Sequence, residues 1–445
     1  MAADVFAPMT LTLARQLRDE KGAEALLHHV LTRAAEGTDN AVISVQNHLP
    51  DSSAGPLHGI PFGVKDNIDC LPFATTGGTP ALSGYYPTAD APSVARLKAA
   101  GGYVPVKLNL HELAFGITSN NAAYGPVRNP FDPVRVAGGS SGGNAAAIAR
   151  GVIPFALGTD TGGSTRIPAA FCGIAGFRPS TGRYPDGGVL TLSTTRDTIG
   201  PMAVNCTDLA EIDALIVPED DPVLPTTLRI GVLWATAGLS AAVDAAMADV
   251  FARLGANAGI TLVPLTIPTF ENLDARFGNT IVLCEAFGVW TRFAREKAGL
   301  TLAEFADQIA SPDVRGVFSA LPDIAAAEAP AYATAMATNL PALRAAYAQL
   351  FTDQALDLIA MPTVCVPPPL IGEDEMMETD LGPRATFPTV SANTALATLT
   401  GAPSLAIPAG MDAMGLPVSL MIEALPAQDR LLLLLGQRIE VLLSR

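Results

Sequence analysis

Two runs, Val136-Ala-Gly-Gly-Ser-Ser-Gly-Gly-Asn144 and Gly158-Thr-Asp-Thr-Gly-Gly-Ser-Thr-Arg166, each set serines among glycines. A serine hydroxyl becomes an effective nucleophile when a neighbouring base takes its proton. The first run satisfies GxSxG in two registers, centred on Ser140 or Ser141. The nucleophile-elbow fold then needs its acid and its histidine downstream, in that order. All five histidines (His28, His29, His48, His58 and His111) precede residue 138, which excludes the α/β-hydrolase order. Other Ser–His orders stay open on sequence position, with His58 and His111 as candidates against a structural or surface role. His111 reads as a helix start, but His-Glu-Leu-Ala-Phe lacks the second histidine of HExxH, so zinc-protease chemistry is excluded.

Lysine is the remaining base. Lys65 lies in Gly59-Ile-Pro-Phe-Gly-Val-Lys-Asp-Asn-Ile-Asp69, after an apolar strand pattern and a Gly63 that permits close approach. Burial among apolar residues penalises the ammonium form. To serve as a base near neutrality the lysine must fall from ~10.4 to about 7–8. The competing reading is a structural lysine ion-paired with Asp66 or Asp69. In Thr161-Gly162-Gly163-Ser164 the glycines let successive backbone N–H groups converge on one point, as an oxyanion hole requires. A tight turn uses the same glycines, and a phosphate cradle is a third reading. Neither GxxxxGK[ST] nor GxGxxG occurs in either run, which weakens a nucleotide site.

The elements that position these residues alternate in type. Residues 10–36 carry helical periodicity within an amphipathic N-terminal stretch that begins at Met1. Strand patterns follow at 42–46, within 59–69, and at 103–109, with Ser93 as a candidate N-cap for a helix ending at Gly101 or Gly102. Residues 144–150 read as helix and 152–161 as strand. This alternation predicts a sheet with helices on its faces. Residues 228–234 read as strand, 236–355 as Ala-rich and mainly helical. Strand patterns return at 356–364, 403–410 and 417–424, before a helix over 427–443. The last strands are expected to rejoin the first sheet. The expectation is one domain over 1–445: a core of about 50–210, a helical insert of about 236–385, and C-terminal strands and helix over 386–445. The acidic stretch 373–380 reads as a solvated loop.

Composition bounds the partners. The 445 residues are 49% hydrophobic and 16% charged, with a formal charge of −16. Such a chain can bury a large core, and its field repels nucleic-acid phosphates and anionic lipid. Five scattered cysteines without CxxC indicate neither a disulfide framework nor a zinc knuckle. The N-terminus does not read as a signal peptide, and no run approaches 18 apolar residues. A cytoplasmic protein without membrane or nucleic-acid partners is expected.

Together GIPFGVKDNID, GGSSGGN (138–144) and GTDTGGSTRIPAAFCGIAGFRPS (158–180) resemble the amidase signature family. The three motifs occur in the family's order, and LTGAPSLAIPAG…GLPVSLMIEALPAQD (399–429) is a looser match. The resemblance implies an α/β fold, a large mixed central sheet covered by helices on both faces, with a helical insert over the active site. It also implies a Ser–cisSer–Lys triad: Lys65 as base, Ser140 as bridging serine after a cis peptide from Gly139, and Ser164 as nucleophile. N–H groups of Thr161, Gly162, Gly163 and Ser164 would form the oxyanion hole. Ser141 and Asp160 would support these groups by hydrogen bonds, with Arg166 structural or near the substrate. No metal or organic cofactor is implied. Asn144, where relatives often carry another residue, is expected to matter little.

Segments 111–130 and 176–188 are similar to the branch of indoleacetamide and mandelamide hydrolases. They are less similar to the glutaminase subunit of tRNA-dependent amidotransferases, which stays as the alternative from another class. The expected partner is a small-molecule amide, ester or carbamate, including urethanes and anilides. A homodimer is left open.

Overall fold

The computed structural model describes residues 8–50, 54–234 and 240–444. The start of the amphipathic N-terminal stretch (1–7), residues 51–53, the beginning of the expected insert (235–239) and residue 445 lie outside the described residues.

The helical periodicity of 10–36 resolves into two helices, Leu11–Lys21 and Ala23–Glu36. They meet at Gly22, whose φ of 87° is accessible to glycine at little steric cost. Thr10 starts the first by accepting the Leu13 N–H at 3.1 Å, satisfying one of the helix's free donors. The expected cap at Ser93 is displaced. The helix Pro92–Ala99 is entered from Ala91 with proline in its first turn, where a missing N–H costs nothing.

Eleven strands form one mixed sheet: β1 (Val42–Val45), β2 (Pro61–Lys65), β3 (Tyr103–Leu108), β4 (Phe155–Asp160), β5 (Ala175–Arg178), β6 (Thr198–Ala203), β7 (Leu228–Leu233), β8 (Ile260–Leu265), β9 (Leu358–Pro362), β10 (Ser404–Met411) and β11 (Pro417–Glu423). Their order across the sheet is β1-β3-β2-β4-β6-β5-β10-β11-β9-β7-β8. Strand β2 runs parallel to β3 and β4, while β6 is antiparallel to β4 and β5. The C-terminal pair β10 and β11 enters the middle of the sheet, between β5 and β9, so the last strands do rejoin the first sheet.

Three strands were hidden. Strands β5 and β6 carry glycine and proline that obscure a strand pattern. Strand β8 falls inside the segment read as mainly helical. That segment therefore contributes both sheet edge and cover: its longer helices are Ala241–Gly255, Asn279–Phe293, Pro312–Thr334 and Leu340–Gln354.

Alternation along the strands feeds two cores. Phe155 and Leu157 of β4 join Phe62 and Val64 of β2 on one face, with Leu432 and Leu435 of the helix Asp429–Leu443. Ala156 joins Val106, Leu108 and Ala145–Ile148 on the other. The Phe62 and Phe155 rings stack at 5.2 Å.

The helix Gly142–Ala149 lies flush against the backbone that adjoins β1 and β3, and Gly143 makes this possible. A Cβ there would sit 2.4 Å from the Asn109 carbonyl oxygen and 2.5 Å from that of Ala41. Backbone atoms cannot swing aside as a side chain can. Gly143→Ala is expected to destabilise the fold by about 3 kcal/mol, read as a lowered midpoint in thermal unfolding; an unchanged midpoint would refute this packing.

Candidate active site

Lys65 ends β2 with its side chain fully buried. Its partners are hydroxyls: Nζ donates to Ser140 Oγ at 2.7 Å and to Thr159 Oγ1 at 2.9 Å. The ion-pair reading is overturned, because Asp66 turns to a different lysine. Lys107 Nζ lies 3.0 Å from Asp66 Oδ1, both side chains buried, while Asp66 Oδ2 accepts from the Thr76 N–H and hydroxyl. Burial pushes Lys65 down to about 7, against the opposing pull of the Asp160 and Asp197 charges. An amine without an adjacent carboxylate, in a dry site, gives up its proton readily.

Ser140 follows a cis peptide from Gly139, the feature the resemblance implied. Its carbonyl is held from two sides, by the His111 N–H at 3.1 Å and by Ser119 Oγ at 3.3 Å. The Ser141 N–H donates to the Ser164 carbonyl at 3.1 Å, and Ser141 Oγ donates to the Thr159 carbonyl at 3.3 Å. Ser141 thus ties the 140 turn to both β4 and the 161–164 turn, and the backbone of Ser164 lies beside Ser141. Ser164 is 7% exposed, whereas Ser140 is fully buried; of the two expected actors, Ser164 is the one within reach of solvent. Asn144 donates to the Leu157 carbonyl at 2.9 Å, a fastening inside the core.

Asp160 organises the second turn from beneath. Its carboxylate accepts from the Gly163 N–H (2.9 Å), the Thr165 N–H (3.2 Å) and hydroxyl (2.8 Å), and two nitrogens of Arg166 (3.0 Å each). Arg178 Nη1 reaches it at 3.2 Å. Burial alone would raise this carboxyl; the Arg166 and Arg178 guanidiniums beside it hold it well below the usual carboxylate range. Arg166 is fully buried and also donates to Ser404 Oγ and the Thr394 carbonyl. Its contacts are structural ones. The Gly163 N–H is turned onto Asp160, which takes it out of the oxyanion-hole set that the resemblance implied.

Two cavities are lined by residues that contact this turn or stand next in sequence to one that does. One, of about 270 Å³, is lined by Thr159, Tyr184, Ser193, Thr194 and Asp197. The other, of about 310 Å³, is lined by Trp234, Phe270, Leu273, Met361 and Leu396, together with Asn393 and Ala395. Thr394, between those last two, donates to the Gly162 carbonyl at 2.5 Å. No cluster of metal-ligating side chains occurs among the described residues. No helix among them is long and apolar enough to cross a membrane.

A model of the amidase family matches residues 22–433. The chain belongs to the amidase signature family. Mandelamide hydrolase of Pseudomonas putida is 37% identical over 412 residues, spanning 88% of this chain and 79% of that one. Indoleacetamide hydrolase of Agrobacterium vitis is 37% identical over 389 residues, 86% of this chain and 83% of that one. Among solved structures, one described as an amidase superposes with a TM-score of 0.84 at 31% identity, covering 98% of this chain and all of the other. The native peptide amidase of Stenotrophomonas maltophilia gives 0.80 at 26%, covering 98% and 97%. This amidase is therefore a hydrolase of the family that cleaves amides, built on the family's mixed sheet.

Several residues of the amidase site escaped sequence reasoning. Thr159, which shares Lys65 with Ser140 and also accepts from Asn67 at 3.1 Å, sits one residue before the aspartate that drew attention. Asp197 accepts the Thr161 hydroxyl at 2.6 Å and the Leu192 and Ser193 N–H groups; burial pushes its carboxyl up to about 6. The only signal for it was a charged pair, Arg196-Asp197, opening an otherwise apolar strand.

His111 plays a structural part: Nε2 meets Asp313 Oδ2 of the helix Pro312–Thr334 at 2.9 Å. His58 does not enter the cluster around Lys65. The acidic 373–380 stretch is largely exposed or half-buried, as expected of a solvated loop, but Asp374 docks it by accepting from Thr118 Oγ1 and Asn120 Nδ2, each at 2.5 Å.

Proposed function

We propose that the chain hydrolyses the C–N bond of small, apolar or aromatic carboxamides through an acyl-enzyme on Ser164. The observation that carries this reading is the buried, ion-pair-free Lys65 amine 2.7 Å from Ser140 Oγ. Neutral Lys65 takes the Ser140 proton as Ser140 takes that of Ser164, and Ser164 Oγ bonds to the substrate carbonyl carbon. The carbonyl electrons move onto oxygen, and the N–H groups of Thr161, Gly162 and Ser164 donate hydrogen bonds to the oxyanion so formed. Collapse breaks the C–N bond, and the proton held on Lys65 returns through Ser140 to the leaving amine. Water then enters, loses its proton along the same relay, and releases the acid. No metal or organic cofactor takes part.

The acyl preference rests on two supports. The relatives are named for mandelamide and indoleacetamide, both aromatic carboxamides. The 310 Å³ cavity beside Thr394 offers Trp234, Phe270, Leu273 and Met361, a largely apolar lining of the size that small ligands occupy. A comparison of kcat/KM across arylacetamides, aliphatic amides, anilides, p-nitrophenyl esters and carbamates tests the reading. Arylacetamides should lead, with turnover lost in Ser164→Ala. Cleavage of carbamates or anilides with no turnover of primary amides would overturn the substrate class while leaving the relay in place. The five free cysteines suit a reducing compartment, in keeping with a cytoplasmic enzyme.

A further inference from the structure

The turn that precedes Ser164 is gripped from outside by two consecutive residues. Arg196 Nε donates to the Thr161 carbonyl at 3.1 Å, and Asp197 accepts the Thr161 hydroxyl at 2.6 Å. One residue further on, Thr394 Oγ1 donates to the Gly162 carbonyl. In a trans peptide the C=O and the following N–H point in opposite directions. Fixing the Gly162 carbonyl on Thr394 therefore turns the Gly163 N–H the other way, and that N–H is found on Asp160. By the same rule, fixing the Thr161 carbonyl on Arg196 aims the Gly162 N–H away from Arg196.

Arg196 is itself anchored to the helical segment. It is 1% exposed. Its Nη1 donates to Asp274 Oδ1 at 2.9 Å and to the Gly278 carbonyl at 3.1 Å, and its Nη2 donates to Thr398 Oγ1 at 2.7 Å. The loop that bears it is fastened separately: Glu285, in the helix Asn279–Phe293, accepts from Ser193 Oγ at 2.5 Å and the Thr195 N–H at 3.1 Å. Arg178 also donates to the Arg196 carbonyl at 2.8 Å. Such a bracket holds a donor in place before charge develops, which is where an oxyanion site gains its effect.

We propose that Arg196 is a positioning residue for the hydrolysis. By holding the Thr161 carbonyl it aims the Gly162 N–H at the developing oxyanion, and through Asp274 it makes that aim depend on the helices lying over the site. The proposal rests on the reading of Ser164 as nucleophile.

The test compares wild type with Arg196→Met, Arg196→Lys and Asp274→Asn in the full chain. Steady-state kinetics on an arylacetamide are read beside inhibition by an aryl trifluoromethyl ketone, which adds to a serine as a tetrahedral oxyanion, and by the product acid, which does not. Arg196→Met should lower kcat about 100-fold with KM within threefold. The ketone should weaken by the same factor and the acid should bind as before. Arg196→Lys should restore about a tenth of the wild-type kcat.

A folded Arg196→Met with wild-type kcat overturns the proposal. Equal loss of ketone and acid binding also overturns it, because that marks a merely distorted pocket. Where Arg196→Met does not fold, Asp274→Asn decides: a several-fold loss confined to kcat and the ketone upholds the proposal, and no loss refutes it. Fluorophosphonate labelling separates the two readings. Wild type labelled at Ser164 alongside an undisturbed Arg196→Met removes only the positioning role, whereas turnover surviving in Ser164→Ala removes the nucleophile and the positioning role together.

Discussion

Ser164→Ala is expected to cut kcat by at least about 10⁴-fold while leaving the fold intact. The hydroxyl is the proposed site of the covalent bond, and nothing near it offers a substitute. Ser140 is fully buried and already receives the Lys65 ammonium or amine at 2.7 Å, and Ser141 is committed to the Thr159 carbonyl. Ser164 itself donates to none of the groups that hold the fold around it; its carbonyl, which survives the substitution, is what Ser141 binds. The variant should therefore unfold at the wild-type temperature and bind the amide with an unchanged KM-type constant. Mass spectrometry after fluorophosphonate treatment should find the wild-type label on the Ser164 peptide and no label in the variant. Labelling that moves to Ser140 or Ser141 in wild type would reassign the nucleophile.

The second large effect lies at Lys65. Burial lowers it from 10.5 to about 7, and only the neutral amine can accept a proton. Hence kcat/KM should rise with pH on a slope of one, pass its half-point near 7 and level off above. Lys65→Arg should be inactive at every pH up to 9, since a guanidinium stays protonated. Lys65→Ala should lose about 10³-fold or more. A wild-type profile flat between pH 6 and 8, or an active Lys65→Arg, would end the relay.

Stability carries the same sign. The folded value lies below the unfolded one, so between about 7 and 10.5 the unfolded chain binds the extra proton, and stability contributed by this group climbs with pH through that window. Chemical denaturation of wild type and Lys65→Met at pH 7 and pH 9 reads this directly. Wild type should gain more than the variant.

Much of this site was legible because its chemistry is local. Lys65, Ser140 and Ser164 each stand in a short run whose glycines announce close backbone approach, and the sheet only has to bring three runs together. What the residues alone left open was decided by distant partners. Lys65 and Lys107 both sit in buried strands, and only the fold hands Asp66 to Lys107. Arg196 and Asp197 act on Thr161 across about 35 positions, with threonines and serines around them that resemble any polar loop. Among the strands, β8 was concealed for a different reason. Its register against β7 and its place at the sheet's edge leave it half exposed, so Ile-Thr-Leu-Val-Pro-Leu shows neither clean alternation nor a continuous apolar run.

The seating of β10 and β11 between β5 and β9 bears on how the molecule is made. Translation delivers β1 to β6 first, and β5 then has an open flank that only residues 404–411 can cover. Arg166, two positions from Ser164, likewise waits for Ser404 and Thr394. A nascent chain on the ribosome thus carries Lys65, Ser140 and Ser164 with an unzipped seam beside them, an edge open to aggregation. Activity should switch on only after residue 423 has emerged, in one late closure.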